Sequence, residues 1–83
     1  MPKDYRNSLP LIECKAGTVL HIVALAGGKG MSSRLRSMGI REGKDIEIVT
    51  KHPMMGPLVV CIEGRSVTIG RGIASKILAE AKE

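Results

Sequence analysis

The chain has 83 residues, 43% of them hydrophobic, and 13 Lys and Arg against 8 Asp and Glu give a net charge of +5. That length makes one domain, which buries about 60–65% of its unfolded surface, and with a single aromatic, Tyr5, the core must be Val, Ile, Leu, Met and Ala. The apolar runs fall far short of the ~20 residues of a membrane-spanning helix, no signal-peptide pattern opens the chain, and Cys14 and Cys61 form no Cys-x-x-Cys pair. A cytoplasmic protein with reduced thiols is expected.

Residues 1–8 are polar and aperiodic and read as a flexible tail, which leaves residues 9–83 as the domain. Leu11 to Gly17 is a short ordered lead-in ending on a glycine turn. Thr18 to Ala26 is β-branched and apolar at nearly every position, the pattern of a strand buried on one face and partly covered on the other. Gly27-Gly28-Lys29-Gly30 breaks it. Ser32 to Gly43 then reads as a short helix, with Ser32 or Ser33 as the cap of its first turn. Gly39 suits the left-handed position just past the helix end, which makes Leu35 and Ile40 the paired residues of a Schellman motif. Leu35 and Met38 share the face that must find a core, and Gly43 makes a second turn. A helix this short does not persist alone, since roughly 12–15 residues are marginal even in good helix formers. It must plug a larger structure.

That structure is predicted to be a set of strands. Asp45 to Lys51 alternates, with Ile46 and Ile48 on one side and Asp45, Glu47 and Val49 on the other. His52-Pro53-Met54-Met55-Gly56-Pro57 carries two prolines and a glycine and is a loop. Leu58, Val60 and Ile62 then alternate with Val59, Cys61 and Glu63. Gly64-Arg65 suggests a hairpin with glycine first, leading into Ser66 to Ile69. Ile73 to Lys76 forms a helical turn, and Ile77-Leu78-Ala79 a closing strand. The sum is a mainly β fold: a small SH3-like barrel of about five strands with one short α-helix and a C-terminal helical turn.

One pattern runs from residue 9 to about residue 80. It comprises Leu11-x-x-Cys14-x-x-Gly17, Ile22-Val23, Gly27-Gly28 and Arg34-Leu35-x-x-Met38-Gly39-Ile40-x-x-Gly43, with Ile46, Ile48 and Val49 following. Pro57-Leu58, Gly64, Ile69, Arg71, Ala74 and Ile77 complete it. In these residues the chain resembles the ferrous iron transport protein A (FeoA) family, and with it the C-terminal domain of iron- and manganese-dependent repressors. The segment from Arg34 to Gly43 is the specific part. Cys14 stands where the family usually has Leu, and Gly70 and Gly72 where it more often has larger residues. The resemblance implies an SH3-like fold and a cytosolic accessory role beside the membrane ferrous-iron permease, which carries its own GTP-binding domain.

Candidate chemistry is sparse. Gly27 to Ser32 is a glycine-rich approach to a helix, but it lacks the Gly-x-x-x-x-Gly-Lys-Ser/Thr spacing of a phosphate loop. His21, His52, Met54, Met55, Cys14 and Cys61 include no chelating pair, so no cofactor is expected beyond a weak Fe2+ contact. No nucleophile–base set or carboxylate pair is evident, and no enzyme is expected. Arg34, Arg36, Arg41, Lys44 and Lys51 admit an alternative, a small basic SH3-like barrel that binds RNA. Readers of single strands stack bases on aromatics, however, and here Glu42, Asp45 and Glu47 interrupt the basic residues, so no nucleic-acid partner is expected. A protein-docking surface fits better. Met54 and Met55 offer adaptable apolar contact, widened by Val49, Val59 and Cys61 and rimmed by Lys51 and Arg65. Arg34 and Arg36 form a second candidate contact with an acidic partner. The expected partner is the permease with its GTPase domain, without membrane insertion of this chain, and a homo-oligomer stays open.

Overall fold

Alternation in the sequence becomes a sheet. The computed structural model describes residues 7–82, and residues 1–6 of the tail expected at 1–8 lie outside them. Among the described residues six strands form one antiparallel sheet: β1 (Leu9–Pro10), β2 (Val19–Leu25), β3 (Asp45–Lys51), β4 (Leu58–Ile62), β5 (Arg65–Ile69) and β6 (Ile77–Ala81). Their spatial order is β1-β6-β2-β3-β4-β5, with β1 and β5 at the edges. A 3-10 turn, Leu11–Glu13, follows β1. Helix α1 (Gly28–Ser37) joins β2 to β3, and α2 (Arg71–Ala74) joins β5 to β6. The architecture is SH3-like, with a curved sheet left open between its edge strands.

The inward residues of the alternation meet in one core. Ile22, Ile46, Ile48, Leu58, Val60, Ile62 and Ile77 are all buried, and Leu35 and Ile40 join them from α1 and the turn after it. Bulges bend two of the strands, one between Ile22 and Ala24 and one between Ile48 and Thr50. The second leaves Val49 outside the ladder and about half exposed, as a bulge does with its extra residue.

Helix α1 ends as expected and starts earlier. Ile40 N–H donates to Leu35 O at 2.9 Å and Gly39 N–H to Arg36 O at 3.0 Å, the two bonds of a Schellman motif. Gly39 has φ +86° and Gly43 φ +90°, and Gly43 N–H donates to Ile22 O at 2.9 Å. Both turns tie the helix back to the sheet. The serine cap, by contrast, is not used. The cap position is Gly27, and Ser32 is buried inside the helix. A Cβ on Gly27 would collide with the side chain of Met31, so glycine at the cap lets that side chain pack against the chain entry, and the helix begins at Gly28.

Three other boundaries shift for local reasons. The β4–β5 hairpin turns on Glu63 and Gly64, both with positive φ, and not on Gly64-Arg65. That is the type I′ geometry whose twist matches the strands. The second helical turn begins at Arg71, ahead of the expected Ile73, and β6 runs on to Ala81 because it pairs with β2 along its length. The short strand β1 was not expected. It pairs Leu9 with Ala79 and Pro10 with Leu78, at a sheet edge where proline is tolerated.

Candidate functional site

The loop between β3 and β4 is a built turn. His52 N–H donates to Pro57 O at 3.0 Å and Gly56 N–H to Pro53 O at 3.1 Å. The inner bond encloses Met54 at φ 60° and Met55 at φ 64°. Positive φ at both central positions defines a type I′ turn, which Asn and Gly ordinarily fill. For residues with a Cβ this backbone costs roughly 1–2 kcal/mol each. Met54 is nevertheless 95% exposed and Met55 78%. Neither folds back over the barrel end, so core burial does not offset the cost.

The flanking apolar residues are less continuous than their spacing suggested. Val59 is half-buried on β4, facing Thr50 on β3 and Thr68 on β5. Cys61, also half-buried, sits between Glu47 and Ser66. Polar neighbours therefore divide this face, and the methionine turn is its protruding apolar part.

Two expected rim residues are held elsewhere. Lys51 Nζ donates to Ile12 O at 2.8 Å and to Cys14 O at 3.0 Å, so its ammonium fastens the 3-10 turn to β3 instead of facing a partner. Arg65 Nη2 donates to Met38 O at 2.6 Å, closing the C-terminal end of α1. The helix arginines also separate. Arg36 pairs with Glu42 at 2.9 Å, and that hydrogen bond holds the Glu42 carboxyl below its ordinary pKa. The Arg34 side chain has no ion pair or hydrogen bond among the described residues. It lines a groove of about 370 Å³ with Met31, Leu35, Met38, Thr68 and Ile73.

A second groove, of about 500 Å³, lies by the N-terminal segment and is lined by Leu9, Cys14, Val19, Leu20, Ala79 and Ala81 among others. Sequence reasoning missed both grooves, because each is walled by elements distant in the chain. Cys14 is buried, its Sγ 3.4 Å from Pro10 O. Burial pushes that thiol's pKa up, with Lys51 opposing and Glu13 adding. His21 Nδ1 lies 3.1 Å from Asp45 Oδ1, and Lys82 also bonds to Asp45. The Asp45 carboxyl is held low first by Lys82 and then by His21. Among the described residues no three His, Cys, Asp or Glu side chains converge as a metal site would require, and no helix is long and apolar enough to cross a membrane.

Fold and surface together define a small SH3-like module that presents an exposed methionine turn and two grooves. The FeoA domain matches residues 9–81, and the chain belongs to that family, which is associated with ferrous iron transport. It is 34% identical over 74 residues to a Methanocaldococcus jannaschii protein named Fe(2+) transport protein A, covering 89% of this chain and 88% of that one. A crystal structure described as iron uptake regulatory protein (FeoA) superposes with TM-score 0.83 at 31% identity, over 90% of this chain and 99% of the other. A manganese-dependent transcriptional repressor shares the fold alone, with TM-score 0.82 at 18% identity over 90% of this chain and 42% of the repressor.

Proposed function

We propose that this chain is a non-enzymatic, cytoplasmic accessory module of ferrous iron transport. It docks by the Met54-Met55 turn on the membrane ferrous-iron permease and its GTP-binding domain, and modulates them. Family membership supports the transport context. The observation that carries the docking reading is the exposure of two large apolar side chains on a backbone that disfavours them. Backbone cost with no burial in return is explained by contact with another molecule. Val59 lies on the face beside the turn, and Arg34, at a different element, is available for a separate contact.

The test is the double variant Met54→Asn with Met55→Gly, which keeps the turn and removes the apolar tip. Co-purification with the permease and cellular iron uptake should both fall while the fold stays intact. Full uptake and full binding by a folded double variant would remove the turn from the interface.

A further inference from the structure

Strand β5 is an open edge. It pairs with β4 on one side, and among the described residues no strand follows it on the other. The two-residue turn makes Ile62 and Arg65 a hydrogen-bonded pair, and bonded pairs then alternate, so Arg65, Val67 and Ile69 bond to β4. Ser66 and Thr68 turn their N–H and C=O groups to the open side. Neither has a backbone partner there among the described residues.

Beside the C-terminal half of β5 lies the groove between α1 and α2, with an apolar floor of Met31, Leu35, Met38 and Ile73. Gly30 and Gly70 line it without any backbone need for glycine. Neither has positive φ, and a Cβ on either would meet nothing within 4 Å. In α1 glycine is a poor helix former. Gly70, at φ −71° and ψ 162°, occupies the cap of α2, where Ser or Asp would serve better. What glycine supplies at both positions is open space above the groove.

The groove has one charged lining residue, Arg34, and no acid. The acids that flank α1 and β5, Glu42 and Glu63, are paired with Arg36 and Lys44. Positive charge at the groove is therefore uncompensated from within the chain.

We infer that the β5 edge and this groove bind an extended acidic segment of a partner protein. The segment adds as a further strand along Ser66 and Thr68, seats an apolar side chain on the Met31–Ile73 floor and places a carboxylate on Arg34. Main-chain bonds supply affinity in such strand addition and side-chain pockets supply selectivity, while charge complementarity favours the acidic partner. This surface does not depend on the methionine turn.

The test uses the 15N-labelled full chain and an acetylated, amidated heptapeptide alternating valine and glutamate, with a lysine-for-glutamate peptide as control. The acidic peptide should shift the Ser66 and Thr68 amides saturably and bind about tenfold or more tightly than the basic one. Gly30→Leu and Gly70→Val should fill the groove and weaken binding by a similar factor without lowering the melting temperature. Arg34→Glu, at an exposed position, should reverse the peptide preference and decides the matter alone if a glycine variant fails to fold. Equal binding of the two peptides, absence of saturation at millimolar peptide, or unchanged affinity in the folded glycine variants would overturn the inference. So would concentration-dependent β5 shifts without peptide, which would assign the edge to a second copy of the chain.

Discussion

A Cβ on Gly39 would stand 2.6 Å from Arg65 Nη2 and 2.8 Å from Glu63 Oε1, on a backbone at φ +86°. Gly39→Ala therefore strains the turn and dislodges the guanidinium that bonds Met38 O. It should destabilise by about 1–2 kcal/mol in urea denaturation; an unchanged midpoint would contradict this reading. The methionine turn predicts the opposite sign. Met54→Asn with Met55→Gly relieves an unfavourable backbone and should raise the melting temperature, so that stability rises where docking falls. A drop in melting temperature would return the methionines to a structural role. Charge at the residue scale has a definite pH window. The folded Asp45 and Glu42 carboxyls have pKa values below their ordinary ones. Their contribution is thus present above the unfolded carboxylate range of about 4 and disappears as pH falls through the folded values beneath it. Both pairs are exposed, so the effect is small. Asp45→Asn should flatten the acid limb of a melting-temperature profile, and an identical profile would show that the pair contributes nothing.

At the scale of elements, Lys51 replaces an interaction that the short 3-10 turn cannot make for itself. Leu11 is fully buried there, and the segment is a single short turn closed at its end by Cys14 N–H to Leu11 O at 3.0 Å. Lys51→Met leaves the carbonyls of Ile12 and Cys14 without their ammonium donor, at a cost of about 1–3 kcal/mol. Hydrogen exchange at the Cys14 amide should accelerate more than at β4 amides; uniform acceleration would show that the lysine stabilises the whole sheet instead. How far these elements could be read in advance follows from where their causes lie. The end of α1 was legible because a five-residue stretch, Leu35 to Gly39, and Ile40 after it hold the whole Schellman motif. Its start was not, because Gly27-Gly28 resembles a breaker until Met31 is seen to pack on Gly27. Strand β1 has two residues and no period of its own, and it exists through pairing with β6 at the far end of the chain. The methionines could be named from the loop composition, but not their left-handed backbone. Arg34 and Arg36 looked equivalent in sequence, and Glu42 separates them.

The whole molecule carries +5, and its distribution decides what that charge can do. Arg36, Lys44 and Lys82 are held by carboxylates, while Lys51 and Arg65 bond to carbonyl oxygens. The cations whose side chains have no partner among the described residues include Lys29, Arg34, Arg41, Arg71 and Lys76, contributed by α1, the turn after it, α2 and the turn before β6. They alternate with no aromatic side chain, since the one aromatic residue of the chain is Tyr5, and a single-stranded RNA gains much of its affinity by stacking on such rings. What remains is the attraction of a modest, scattered charge for phosphates, which releases few counterions and fades as salt rises. A fluorescent oligouridine and a mixed-sequence RNA should therefore bind this chain weakly and equally at low salt, and lose most of that binding by about 0.2 M salt. Arg34→Glu should lower the low-salt affinity modestly, by removing one phosphate contact, without creating any sequence preference. A tight complex with one RNA that survives physiological salt would make the basic residues a specific nucleic-acid surface and displace the transport-docking reading from first place.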